Sequence, residues 1–413
     1  MKVLHVNSED LPGRRFNGYD LVHALGSRGI DGKQAVLTKF SDDSDVFEIL
    51  DNDGDIELQR RIQVVERRHS MNDLLYPWGR VLAQAAEFRD ADVVHYHLIH
   101  NQMISLLDLP MLFSLKPSVW TFHDPWPMTG HCIYPIACSR WLTGCKSCPS
   151  LDAIFPLEAD CADRMWRIKK RVYSEVDADI VVASQSMLEM VGRSPLTSGF
   201  DRVHLIPYGI EASTYLPDDA RRASRRLLRI PEDDFVIFFR ATRSEVKGMR
   251  HIVEALSARP PERPTTLITV DQRDLVGSLS PRYNVVELGW VDDQSLYPSA
   301  FNACDVFLMP STAEAFGLMA LEAMAAGRPV ICFEGTSLPS VTHAPECGTA
   351  VPAGDSEALR GAIDGLANDP DEMMRRGQRG RVIAAEAYGY ERYLDALASL
   401  YHCVQARARH AHA

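Results

Sequence analysis

Two glutamates eight positions apart, Glu314 and Glu322, bracket a segment whose composition says what must surround them. Ahead of them, Asp305-Val-Phe-Leu-Met309 is a short apolar run stopped by Pro310, the pattern of a buried parallel strand. From Leu318 the chain is dominated by Ala, Leu, Met and Glu, which favour helix, and Gly327 and Pro329 end it. A strand, a loop with Gly317 and a helix in this order aim the helix N-terminus at the loop. Its free N–H groups and positive dipole end make an anion site there. Glu314 lies in that loop. Glu322 lies about one turn into the helix, among Leu318, Met319, Leu321 and Met324. A carboxylate in such company needs donors, because an unpaired buried charge is costly. Ligand hydroxyls would serve; an amphipathic helix with one solvated glutamate is the alternative.

Other residues with usable chemistry sit after expected strands. Phe235–Phe239 feeds Arg240, Arg243 and Lys247-Gly248, whose guanidinium and ammonium groups suit a pyrophosphate. Ser118–Phe122 delivers His123-Asp124, and Ala91–His97 leads into His95, His97 and His100. Three histidines so close could hold zinc, or serve as strand-end side chains. Cys132, Cys138, Cys145 and Cys148 follow the pattern C-x5-C-x6-C-x2-C. In a reduced protein that is the spacing of a structural zinc site with four thiolates, with His131 able to replace one ligand. The alternative is free thiols.

The stretch Glu314-Ala-Phe316-Gly317-Leu318-Met-Ala-Leu-Glu322, running on to Gly-Arg-Pro-Val, resembles the E-x7-E signature of glycosyltransferase family 4. Those are retaining, nucleotide-sugar-dependent enzymes of the GT-B fold. The resemblance implies that Glu322 accepts from the ribose hydroxyls and Glu314 from the donor sugar. It implies that Lys247, with Arg240 or Arg243, holds the diphosphate beside the N–H groups near Phe316, Gly317 and Leu318. The segment departs from the family in having Arg240 where a Gly-Arg pair is usual, with stretched spacing. Gly289-Trp290-Val291 resembles the family's turn against the nucleobase, and Asn17-Gly18 is a thinner version of its glycine-rich turn. His123 stands where the family's histidine faces the donor sugar. His123 to Cys148 is similar to a stretch in polysaccharide transferases, and Val203–Ile210 to the interdomain linker.

These residues need positioning by alternating strands and helices, and the chain supplies two such sets. At 413 residues, two domains are expected: residues 1–206, acceptor-side, with a cysteine-rich loop 131–148; residues 207–384, nucleotide-sugar-binding; and a C-terminal helix, 385–413, crossing back. Each is expected to be a Rossmann-like, doubly wound parallel α/β sheet, the pair facing a cleft as in GT-B. The acidic stretch Ser41 to Asp55 reads as a solvated loop, the basic run Arg221 to Arg229 as a solvated helix, and Ala406 to Ala413 as a frayed tail. The Arg164–Tyr173 helix would pack on a core or rest on lipid. A formal charge of −12 argues against a nucleic-acid partner. No apolar run is long enough to span a membrane, so a cytoplasmic protein is expected, with peripheral contact at the inner-membrane face.

The expected activity is transfer of a sugar, with retention, from a UDP- or GDP-sugar to a saccharide or lipid-linked oligosaccharide in surface or exopolysaccharide synthesis. No catalytic divalent metal is required. The rivals are a GT-B nucleotide-sugar 2-epimerase and a non-catalytic sugar-binding subunit.

Overall fold

The computed structural model describes residues 1–50, 52–100, 102–152, 156–215, 219–291 and 296–411. The chain forms two compact units, Met1–Pro207 with Tyr393–Ala413, and Tyr208–Arg392. The first holds a seven-stranded sheet: β1 (Lys2–Val6), β2 (Asp31–Val36), β3 (Val46–Glu48), β4 (Val93–Tyr96), β5 (Ser118–Thr121), β6 (Asp179–Val182) and β7 (Val203–Leu205). Its order is β3-β2-β1-β4-β5-β6-β7, every neighbouring pair parallel. Reversal of order at β1 puts a switch point between β1 and β4, where ligands of open α/β sheets bind. Strands β4, β5 and β6 are buried along their whole length, as parallel strands covered on both faces must be.

The second unit holds β8 (Phe235–Ala241), β9 (Thr265–Asp271), β10 (Asn284–Glu287), β11 (Val306–Met309), β12 (Val330–Phe333) and β13 (Thr349–Val351). Their order is β10-β9-β8-β11-β12-β13, again all parallel. Phe235, Ile237 and Phe239 alternate onto one face of β8 and pack with Leu267, Leu308 and Ile331 into one core under the Met249–Ser257 and Ser356–Asn368 helices. Here the switch point lies between β8 and β11, the strands that lead into Lys247 and Glu314.

Several sequence expectations are corrected. The acidic Ser41–Asp55 stretch is not one solvated loop. Val46–Glu48 pairs with β2, and Asn52 caps a helix, Asp53–Arg68, through Asp55 N. Asp51 lies outside the described residues. Arg225 of the basic run is buried, not solvated: its guanidinium reaches Asp305 Oδ2 at 2.9 Å and the carbonyls of Ala303 and Asp234. Of the two readings of the basic helix, packing on a core holds and is no correction: Ala162–Tyr173 buries Met165, Trp166, Val172 and Tyr173. The C-terminal helix runs from Tyr390 to Ala411, so the described part of the tail is helical.

Candidate active site

In the second unit, the Leu318–Ala325 helix begins directly after Gly317, whose φ is 105°. Ser337 pins the loop before it by donating to the carbonyls of Glu314 (3.1 Å) and Phe316 (3.0 Å). Facing this loop, Lys247 closes a short helical turn after β8. Its Nζ lies 2.8 Å from Glu314 Oε2, both side chains mostly buried. The two loops are also joined by Thr312 N donating to Val246 O at 2.9 Å. Gly248 permits this approach. Its φ is 75°, and a Cβ there would stand 1.9 Å from Pro310 O. Residues 67 positions apart in the sequence are thus brought into one ion pair at the mouth of a helix N-terminus.

Arg240 is half exposed and tied to Asp271 Oδ2 at 2.7 Å. Arg243 is exposed, and among the described residues its guanidinium has no partner; only its backbone N–H is used, donating to Gln272 Oε1. Trp290 is 70% exposed beside Val291 and Gly289. Phe316 is buried edge-on against Tyr208 and Tyr388. Glu322 is fully buried, and the chain itself supplies donors: Tyr215 Oη to Oε1 and Tyr297 Oη to Oε2, each 2.8 Å. The sequence reading found the carboxylate and its need for donors but not the tyrosines. Tyr215 and Tyr297 lie 107 and 25 residues away, with no spacing signal to mark them.

The first unit gathers histidines at the ends of β1, β4 and β5. Register sets His5 beside His95. His5 Nδ1 lies 3.1 Å from His97 Nε2, and His97 Nδ1 lies 3.1 Å from His123 Nε2. His95 sits between Tyr401 Oη (2.6 Å), carried in by the C-terminal helix, and Thr121 Oγ1 (2.7 Å). Gly18, at φ 97°, closes the cluster; a Cβ there would stand 2.7 Å from His97 Nε2. Burial drives all four imidazoles toward the neutral form: His5 and His123 down to about 3, His95 and His97 well below their ordinary value, helped by their neighbours. A neutral imidazole has one donor and one acceptor nitrogen, so each can pass one hydrogen bond along the row. His100 is not part of it. It pairs with Asp124 Oδ2 at 3.1 Å and stacks on Trp126. Burial pushes Asp124 up, but His100 and the Trp126 N–H outweigh it and hold the carboxyl below its usual range. His5 and Tyr401 were not singled out from the sequence.

The cysteine loop is held from inside. Lys169 is fully buried and donates to the carbonyls of Trp126 (2.6 Å) and Thr129 (3.1 Å), and burial lowers its amine to about 7. Gly130 N donates to Cys145 Sγ at 3.2 Å, and Cys148 Sγ lies 3.5 Å from His131 Nε2. Burial raises the thiols of Cys132 and Cys145, the latter to about 11. Among the described residues, the trios with ligand atoms within 4.8 Å of one another are His5–His95–His97 and His23–Asp43–Asp45. The sulfurs of Cys132, Cys138, Cys145 and Cys148 form no such trio, so a shared ion would have to draw them together.

Comparison with known proteins places both halves. Residues 18–214 match the profile of Glycosyltransferase Family 4, and residues 220–382 that of Glycosyl transferases group 1. A protein of Escherichia coli (strain K12), provisionally named the colanic acid biosynthesis glycosyl transferase WcaC, is 25% identical over 58% of this chain and 59% of its own length. The MMP alpha-(1->4)-mannosyltransferase of Mycolicibacterium hassiacum is 25% identical over 73% of this chain and 68% of its own. The match thus spans about three fifths to two thirds of these relatives. Among solved structures, Anabaena Alr3699/HepE in complex with UDP superposes with a TM-score of 0.65 at 17% identity, covering 97% of this chain and 99% of that one. At that identity the likeness shows the fold, which is GT-B.

Proposed function

From a chain whose two halves are both glycosyltransferase domains, we propose an enzyme that moves a sugar, with retention, from a UDP- or GDP-sugar to a saccharide acceptor. The observation that carries this is the Lys247–Glu314 pair at the N-terminus of the Leu318–Ala325 helix. Without a donor, the two side chains neutralise each other. A donor diphosphate would take Lys247, and Glu314 would be released toward the sugar hydroxyls. Arg243, exposed and unpaired among the described residues, supplies a second cation, whereas Arg240 is held by Asp271. Cations and helix N–H groups aimed at a leaving diphosphate stabilise the charge that develops on it. Transfer then runs on the front face, the departing phosphate taking the acceptor's proton, with no divalent metal required. Relatives named for colanic acid biosynthesis and for mannosyl transfer support a saccharide or lipid-linked oligosaccharide acceptor in surface or exopolysaccharide synthesis.

Peripheral membrane contact belongs to the same reading, through a helix other than Ala162–Tyr173. Among the described residues no helix is long and apolar enough to cross a membrane. The Asp53–Arg68 helix buries only Glu66; its first turns carry Asp53, Asp55 and Glu57, and its later turns expose Arg60, Arg61, Arg67 and Arg68 beside Val64, 67% exposed, with Arg61 paired to Glu57 and Arg67 to Glu158. Basic and apolar groups on one exposed helix suit an anionic lipid surface. Zinc on Cys132, Cys138, Cys145 and Cys148 is proposed as a structural element of the loop. The test is incubation with a panel of UDP- and GDP-sugars. Nucleotide release that rises with added saccharide, and falls at least tenfold in Lys247→Met, supports the transferase. Epimerised donor would favour the epimerase, and no nucleotide binding would favour a silent subunit.

A further inference from the structure

A cleft of about 600 Å³ opens in the first unit at the carboxyl ends of β1 to β4. It is distinct from the histidine row and lies where open α/β sheets bind ligands. Its volume falls within the roughly 300–1,000 Å³ usual for small-ligand sites. Leu37, Leu50 and Ile56 give it apolar patches, while the amides of Asn52, Gln59 and Gln102 are interleaved with carboxylates. Aliphatic and polar groups together in one lining match a sugar ring, which shows C–H faces and hydroxyl edges. The charge is one-sided: Glu9, Glu48 and Asp53 line the cleft against the single guanidinium of Arg60.

The wall is fixed before any ligand arrives. Gln59 Nε2 donates to Gln102 O at 2.8 Å, and Gln59 Oε1 accepts from Trp78 Nε1. Gln102 N donates to buried Asp73 Oδ1 at 2.9 Å, which holds Gln102 at φ 61°. Glu48 Oε1 accepts from Lys39 N at 3.0 Å, which anchors that carboxylate at the rim. Groups held this way lose little freedom on binding.

We propose that this cleft seats the sugar of the acceptor and selects one that is uncharged or amine-bearing, rejecting uronates and phosphorylated sugars by like-charge repulsion. The proposal rests on the transferase reading for the word acceptor, but the binding it asserts does not need the reaction. The test uses the full chain and trisaccharides of one skeleton in neutral, hexosamine and hexuronate forms, titrated by calorimetry over a panel of skeletons. The neutral and amine forms bind, and the uronate at least tenfold more weakly. Ile56→Trp, which fills the cleft, abolishes binding of all three. Glu48→Arg narrows or reverses the discrimination. UDP protection against thermal unfolding stays unchanged in both variants, because the proposed nucleotide site is built from the second unit. Uronate binding equal to or tighter than neutral, sugar binding untouched by Ile56→Trp, or no trisaccharide bound while donor is hydrolysed would overturn the proposal. Trisaccharide binding as described, with no donor turnover at all, would uphold it and take down the transferase reading alone.

Discussion

Replacing Tyr297 with Phe removes one hydroxyl and nothing else. The ring stays packed edge-on against Phe301, 5.4 Å between centroids. What is lost is one of two tyrosine donors to a carboxylate with no exposed surface. A hydrogen bond to a charged group contributes about 1.5–3 kcal/mol, and a buried acceptor left short of a donor keeps its desolvation cost. For a unit of this size, about 1 kcal/mol shifts the midpoint by roughly 2–4 °C, so Tyr297→Phe lowers it by about 3–12 °C. Adding Glu322→Gln restores part of that loss, because a neutral amide needs less from its surroundings. Nucleotide binding moves the other way. If ribose hydroxyls donate to Glu322, Tyr297 competes with them, and the variant binds UDP as tightly as wild type or more so. Thermal unfolding with and without UDP reads both quantities. An unmoved midpoint would refute the structural role of the tyrosine pair, and UDP affinity reduced tenfold or more would refute the competition.

The remaining predictions test other parts of the molecule. Gly248→Ala pays the left-handed backbone cost of about 1–2 kcal/mol and drives a Cβ into Pro310 O, so the Lys247 loop shifts and both melting temperature and donor turnover fall; wild-type behaviour in both would contradict the packing described. Stability is full above the ordinary histidine value of 6.5 and falls as pH drops toward 3, because the unfolded chain takes up protons that His5 and His123 refuse until about 3; at pH 5.5 each such histidine costs about 1.4 kcal/mol, and a urea midpoint flat from pH 7.5 to 5.5 would argue against the buried row. Elemental analysis should find about one zinc per chain, lost in Cys145→Ser/Cys148→Ser together with acceptor use but not UDP binding; a metal-free, fully active preparation would reduce the cysteines to ordinary thiols. Vesicles containing anionic lipid should sediment the protein at low salt and lose it in Arg61→Glu/Arg68→Glu; equal binding to neutral vesicles would exclude this helix as the contact.

Alternating apolar runs and glycine-bearing loops were enough to anticipate two α/β units and ten of their strands, because buried parallel strands leave continuous hydrophobic runs. The exceptions, β3, β7 and β13, are three residues each and carry too little apolar sequence to stand out; β7 lies in the stretch read as the interdomain linker. The signature loop and helix were legible for the same local reason: Pro310, Gly317 and Gly327 punctuate them, and Glu314 and Glu322 share one short segment. What locality could not reveal is who answers those carboxylates. Lys247 could be proposed for the site, but that it pairs with Glu314 is decided by β8 and β11 lying side by side. Tyr215 and Tyr297 reach Glu322, and Tyr401 reaches His95 across 306 residues, through packing alone. The solvated reading of Arg225 failed likewise, since a basic run looks the same on a surface helix as on one docked against Asp305. Sequence determined which segments are strands, turns and helix starts, because those preferences act within a few residues. Tertiary structure alone decided which charges and hydroxyls satisfy one another, because a buried polar group is answered by whatever the fold brings within about 3 Å, at any distance along the chain.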